Sequence, residues 1–578
     1  MKARATALAV CAGLILAMGA GPACGAEADD AAADAAADDA DRGEAEDTAV
    51  ADDAGGAADA GEAEDETVAQ RIDDAFRPVA ERAADVMFWD PFAAVGLYDP
   101  VLYGDDGEPL LDEDGEVRET RVPIVVVWLV FVSLFFTFRL GLINVRGFGH
   151  AIALIRGRFS SPDDPGQITH FRALATAVSG TVGLGNIAGV AIAMAIGGPG
   201  ATFWMILAGF LGMAAKFAEC TLAVKYRDIS DSGEVSGGPP YYLSRGLARR
   251  NLPTLGKVLA VSWAIFAIFG SLGGGNMFQA NQAFSLASET FPFLEGNALW
   301  FGAALAAVIG VVIIGGIEGI GRVTGRVVPL MATIYIASCA VIIGLNISSI
   351  GEAFSLIITG AFSAEAAQGG ILGVMVVGLT RAAFSSETGV GTAAVAHSAA
   401  KTREPAAEGM VALHEPFIDT VVICTMTALV LIFTGQYDAG PGADGAALTS
   451  AAFGSVASWY PYVLTVSILL FSFSTQLAFS YYGVKCFDYV AGPMFSRVCG
   501  RRELATHIYR VIFLACVVVG AAASLDAVVA YTDMVLFGMI VTNTIGLFVL
   551  APEIRAELSS YLRRLRSGEI APRPRGST

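Results

Sequence analysis

Apolar residues in this chain come in long runs with no polar face, where a surface helix would alternate sides every three or four residues. A run of about 20 such residues crosses about 30 Å of hydrocarbon. Eleven segments qualify, at about 122–138, 173–196, 201–224, 258–285, 298–317, 327–345, 371–396, 410–433, 462–484, 508–524 and 530–550. They predict an all-α membrane protein with 11 transmembrane helices. The loops between them show a charge pattern. Five arginines from Arg139 to Arg172 follow the first span, and six basic residues from Lys225 to Lys257 follow the third. Arg322 and Arg326 follow the fifth, Lys401 and Arg403 the seventh, Lys485, Arg497, Arg501 and Arg502 the ninth, and six arginines close the chain. The alternate loops, 197–200, 286–297, 346–370, 434–461 and 525–529, hold no Lys or Arg. Basic loops stay in the cytoplasm, so the pattern predicts a multi-pass inner-membrane protein with a periplasmic N-terminus and a cytoplasmic C-terminus.

The first residues support the same orientation. Lys2 and Arg4 precede an apolar run from Ala7 to Met18 and small residues up to Ala26, the pattern of a cleaved signal peptide spanning residues 1–26. Residues 27–70 are rich in Ala, Asp, Glu and Gly and read as a disordered periplasmic tail. Residues 71–121 form a pre-bundle region, with helical periodicity over Arg71–Val86 and a hairpin turn at Asp114-Gly115 inside an insertion. An extra helix at 122–140 then precedes two repeats, 172–350 and 351–552, and a basic cytoplasmic tail at 553–578.

The repeats follow from two spans that contain glycine and polar residues where a lipid-facing helix has neither. One reads SGTVGLGN from Ser179 to Asn186; the other reads SSETGVGT from Ser385 to Thr392. Both fit S-x-x-x-G-x-G-[N/T]. Five spans separate their starts, so spans 2–6 and 7–11 form a 5+5 repeat whose halves run in opposite directions. Paired broken helices in inverted halves point to a transporter's central site. Unwound backbone in mid-membrane is tolerated where its carbonyls and amides line a cavity. Those carbonyls can replace the water around Na⁺, and a half-helix N-terminus suits a carboxylate.

Composition sharpens this picture. The chain is 54% hydrophobic and 16% charged, which excludes most soluble classes. Its net charge of −20 is mostly local, because residues 27–70 hold 17 carboxylates against one arginine and the rest of the chain is near neutral. Cys220, Cys339, Cys424 and Cys516 sit in apolar runs and read as core residues. The five histidines show no ligand spacing, so no transition-metal site is expected. Glu387 and Asp419 lie deep in spans and are candidates for function, with Arg381 as a possible partner of Glu387. Glu219, Asp488 and Asp526 fall near predicted span ends, where a solvated role is expected.

The stretch Ser179–Met205 (SGTVGLGNIAGVAIAMAIGGPGATFWM), with KFAECTLAVKYR from Lys216 and GGPPYYLSRGL from Gly237, resembles the alanine/glycine:cation symporter family (sodium:alanine symporters). So do FSSETGVGTAAVAHSAA from Phe384, FIDTVVICT from Phe417 and FSFSTQLAFSYYGVKC from Phe471. The resemblance covers about residues 122–552. It implies a LeuT-like fold, one extra N-terminal helix, and symport of alanine or glycine driven by Na⁺ as coupling ion, with no cofactor. By the same resemblance Ser179, Val182, Ser474 and Thr475 hold sodium. Thr181, Gly183, Gly185, Asn186, Gln279, Asn281, Ser385, Ser386, Glu387 and Gly389 hold the substrate. At Ser386, Thr388 and Val390 the chain departs from the Asn, Ala and Gln usual in that family.

Other classes fit less well. No H-E-x-x-H, G-x-S-x-G or Walker loop marks a membrane enzyme. A channel has no need of substrate donors beside ion ligands, and non-saturating flux would identify one. An H⁺-coupled carrier, or one for another small zwitterion, keeps the architecture and changes the cargo. The cytoplasmic arginines are accounted for by topology, so no nucleic-acid partner is implied.

Overall fold

A computed structural model of the chain describes residues 89–96, 100, 101, 109, 117, 122–161, 163–363, 370–437, 445–523 and 525–572, with backbone only at 525–531 and 533. The expected signal peptide, acidic tail, Arg71–Val86 helix and Asp114-Gly115 turn lie outside these residues. The described chain is helical, apart from one antiparallel pair of two-residue strands, Asp228–Ile229 and Val235–Ser236.

Among the described residues, seven helices are long and apolar enough to cross a membrane, and one bent pair would make an eighth. Helix α1 (Ile124–Arg139) occupies the first expected span. The second is the bent pair. Helix α2 (His170–Thr181) stops, a 3-10 turn follows at Leu184–Asn186, and α3 (Ala188–Gly197) continues with a 63° change of direction. Next come α4 (Gly200–Lys225) and a short, largely buried helix, α5 (Pro239–Arg249). The fourth expected span is α6 (Pro253–Leu272), a π turn at Gly273–Met277, and α7 (Phe278–Thr290). Helices α8 (Ala298–Ile313) and α9 (Gly316–Leu345) cover the fifth and sixth.

Helix α10 (Ile350–Phe362) lies in a segment expected as loop. The seventh expected span is again interrupted: α11 (Gly370–Ser386) ends, and α12 (Thr392–His397) begins after five residues. The eighth runs through α13 (Pro405–Ala412), one turn at His414–Pro416, a π segment at Phe417–Cys424, and α14 (Thr425–Thr434). Helix α15 (Gly445–Val456) occupies another expected loop. It is followed by α16 (Tyr460–Cys499), α17 (Glu503–Ala522) and α18 (Leu525–Arg566). Helices α1, α8 and α11, at 16, 16 and 17 residues, fall just short of the length that marks the other spans. Helix α18 runs unbroken through Pro552, past the expected end of the second repeat.

Burial ranks the helices. In its most apolar stretch α16 is 72% buried, against 28% for α9 and 33% for α17. The first therefore runs through the centre, and the other two present their apolar sides outward. Helix α2 packs on both α9 and α16, α4 packs on α1, α11 and α13, and α6 packs on α16 and α18. The two interrupted spans thus lie inside the bundle, where non-helical backbone can find partners.

Candidate functional site

The first interruption has a local cause. After Thr181 the backbone leaves helical geometry at Val182 and is extended at Gly183 (φ −148°, ψ −151°). The Asn186 side chain then closes the turn by accepting from the Gly183 N–H at 2.9 Å. The second interruption uses three left-handed residues, Glu387 (φ 47°), Gly389 (φ 83°) and Gly391 (φ 91°). Two carbonyls released there are satisfied from other helices. Trp263 Nε1 donates to Val390 O at 2.7 Å, and Asn543 Nδ2 donates to Gly389 O at 2.8 Å. At Gly391 a Cβ would sit 2.6 Å from Pro239 Cγ, so neither the angle nor the space admits a side chain.

Both interruptions line one cavity of about 50 Å³. Thr181, Gly183 and Gly185 come from the first, and Glu387, Val390 and Thr392 from the second. Gln279 on α7, Thr475 on α16 and Thr532 on α18 complete the polar lining. Gln279 is buried and its Nε2 donates to Gly274 O at 3.2 Å, but its Oε1 has no partner. Glu387 accepts from the Thr392 hydroxyl and forms no ion pair with Arg381.

The other expected site residues separate into distinct roles. Asn186 and Ser385 tie the two interruptions together without lining the cavity. Asn186 Nδ2 donates to Ser385 Oγ at 3.0 Å and to Asp419 Oδ1 at 2.6 Å, while Ser385 Oγ donates to Asp419 Oδ2 at 2.9 Å. Asp419 is completely buried, as its depth in the span predicts. Of the expected sodium ligands, the Ser179 carbonyl meets the Thr475 hydroxyl at 2.9 Å, and Val182 is buried three residues further along. Ser474 points elsewhere, donating to Phe471 O at 3.0 Å and contacting Met331 Sδ at 3.3 Å.

Three more expected residues lie away from the central cavity or tie into other elements. Asn281 donates to Ala523 O at 2.6 Å, toward the α17–α18 connection. Ser386 bonds Thr388, and both border a separate apolar cavity of about 90 Å³ between α1, α4 and α11. Gly389 packs beside Leu129 and Thr544. Helical phase explains these cases: two residues from Gln279, or one from Thr475 or Ser385, is enough to turn a side chain to another face.

A buried charge network escaped the sequence reading. Lys216 Nζ lies 2.9 Å from Glu415 Oε1, and both side chains are fully buried. Glu408 bridges His170 and His397, with His397 Nδ1 at 2.6 Å. Glu219, expected at a solvated helix end, is completely buried and accepts from Asn543 Nδ2 at 2.8 Å. Its Oε2 has no partner. Asp488, placed beside it in expectation, does reach solvent and pairs with Arg502 at 2.7 Å. The Asp526 and Asp533 side chains lie outside the described residues. Lys216 and Glu408 carried a usable signal, because ionisable groups in or beside apolar spans mark function or pairing.

Two interrupted helices facing one cavity inside an all-α membrane bundle are the arrangement expected of a membrane transporter. Sequence comparison gives the family: residues 115–574 match the Sodium:alanine symporter family. The sodium/alanine symporter AgcS of Methanococcus maripaludis is 39% identical over 76% of this chain and 94% of its own length. The probable sodium/glutamine symporter GlnT of Bacillus subtilis is 32% identical over 77% of this chain and 89% of its own. The chain belongs to the sodium:alanine symporter family. Among solved structures, that of MhsT in complex with L-phenylalanine covers 68% of this chain and 99% of its own at 17% identity, with a TM-score of 0.44.

Proposed function

We propose that this protein imports a small neutral amino acid, alanine or glycine, driven by a Na⁺ gradient, by alternating access in a LeuT-like fold of 11 spans. The observation that carries this reading is the shared cavity, with an unpartnered Gln279 Oε1 on its wall. A cavity of about 50 Å³ has room for about four water-sized groups, which suits a small zwitterion and not a bulky side chain. The substrate carboxylate sits at the first interruption, where a short helix begins and its partial positive end faces the cavity. The ammonium, with three donors, sits between Gln279 Oε1 and Glu387.

Na⁺ binds where Ser179 O and Thr475 Oγ1 already approach, with Val182 O beside them and Ser474 joining by a change of rotamer. Neutral oxygens of this kind suit a hard cation. The ion and the amino acid organise the same unwound segment, residues 179–186, so each raises the other's affinity. The moving unit is built from spans 2, 3, 7 and 8. Support comes from the buried ties Lys216–Glu415, His170–Glu408–His397 and Asn186–Ser385–Asp419, all of which connect these four spans. Contacts leaving the unit at the site include isolated hydrogen bonds, such as Thr475 to Ser179 O.

The inner-membrane orientation, with periplasmic N-terminus and cytoplasmic C-terminus, is supported by pairs between loops of like position. Lys225 meets Glu553 and Glu557, Arg564 meets Glu404, and Lys485 meets Glu234. All lie in segments that the basic-loop pattern places on one side. Binding of radiolabelled L-alanine to the purified protein tests the site: Na⁺ is expected to raise affinity at least about tenfold over K⁺. Binding indifferent to Na⁺ but strengthened by acid pH would establish an H⁺-coupled carrier in its place.

A further inference from the structure

A groove of about 400 Å³, separate from the central cavity, opens where the end of α1 meets the last turns of α18. Arg139 and Arg146 border it on one side, and Arg555, Arg563 and Arg566 on the other. None of the five pairs with a carboxylate among the described residues. Their neighbours do: Arg564 is engaged by Glu404, and Lys225 by Glu553 and Glu557. Five unneutralised guanidinium groups around one hollow repel one another unless an anion joins them.

The turn after α1 is shaped to hold this arrangement. Gly141 takes φ +66°, and its carbonyl accepts from Arg146 Nη1 at 3.2 Å, which returns Arg146 to the side of Arg139. The groove also has an apolar part. Leu140 and Leu558 are buried in its floor, and Phe138, 71% exposed, stands at its rim. Phe138 is the penultimate residue of an apolar helix and precedes Arg139 directly, so the groove spans the boundary between hydrocarbon and headgroups.

We propose that this groove seats the phosphate of an anionic phospholipid from the leaflet where α1 and α18 end. Guanidinium forks match phosphate oxygens in pairs, and Phe138 with the apolar side of α1 accompanies the acyl chain. The proposal rests on the membrane orientation above and not on the choice of substrate or coupling ion.

Native mass spectrometry of the full-length protein in neutral detergent, given equal amounts of phosphatidylglycerol and phosphatidylcholine, provides the test. Phosphatidylglycerol is expected to be retained preferentially, and Arg139→Gln/Arg563→Gln should weaken its retention by about tenfold, a few-fold for each arginine near an anionic headgroup. Arg497→Gln/Arg501→Gln, which removes equal charge from the exposed end of α16, should leave retention unchanged. Equal loss in both variants, equal retention of the two lipids, or displacement by glycerol phosphate at matched concentration would each overturn the proposal.

Discussion

Gln279 Oε1 offers a lone pair that no group among the described residues meets, in a buried position beside two unwound helices. Replacing Gln279 with Leu removes that acceptor and breaks only the 3.2 Å bond to Gly274 O. Apparent affinity for L-alanine should fall about 10- to 100-fold, because a charged ammonium loses a hydrogen bond worth about 1.5–3 kcal/mol. The melting temperature should change little, and a large drop in melting with unaltered affinity would assign Gln279 to folding. Thr475 is the corresponding residue for the ion. Thr475→Ala should raise the Na⁺ concentration for half-maximal uptake about tenfold, whereas Ser474→Ala, whose hydroxyl faces Phe471 and Met331, should have the smaller effect. The reverse ranking would contradict the assignment. Glycines and hydroxyls inside an apolar run made Thr181 and Gly183 legible in the sequence, and the family resemblance pointed to Thr475. The turn of Ser386, Asn281 and Ser474 away from the cavity was not legible, since it depends on the phase of each helix at a resolution of one or two residues.

Among the elements, the second interruption carries the greatest backbone demand. Gly391→Ala would place a methyl 2.6 Å from Pro239 Cγ at φ +91°, a combination costing of order 1–3 kcal/mol, read as a lower melting temperature with reduced transport. Wild-type melting in that variant would show the segment to be more pliable than its geometry implies. The same element holds a buried polar frame. Lys216→Met takes the 2.9 Å partner from the fully buried Glu415 and leaves only His397 Nε2 beside it at 3.9 Å, at a cost of about 3–5 kcal/mol. The double variant Lys216→Met/Glu415→Leu should recover much of that loss, because the isolated charge is then gone. Recovery absent from the double variant would mean that the pair does more than neutralise itself. The spans themselves were legible because hydrocarbon demands length and apolarity. The π segments at Gly273–Met277 and Phe417–Cys424 were not, since a single inserted residue leaves the apolar run intact. Nor were α10 and α15, which at 13 and 12 residues are shorter than a span and read as loop.

At the scale of the whole molecule, two sequence signals organise the proposed topology: the alternation of loops with and without Lys or Arg, and the recurrence of one glycine motif five spans later. Each follows from the membrane, which sorts charge across its faces and confines broken backbone to protein interiors. Helix ends were less legible, because α9, α16 and α18 continue past the apolar run as ordinary polar helix. The proposed work of the molecule is to join an ion gradient to the uphill movement of a small amino acid through one site. Uptake of radiolabelled L-alanine into proteoliposomes, with an inward Na⁺ gradient and then with K⁺ in its place, tests this most directly. Saturable accumulation above the external concentration that requires Na⁺ is the expected result. Accumulation that persists without Na⁺, or flux that rises linearly with concentration under both conditions, would contradict it.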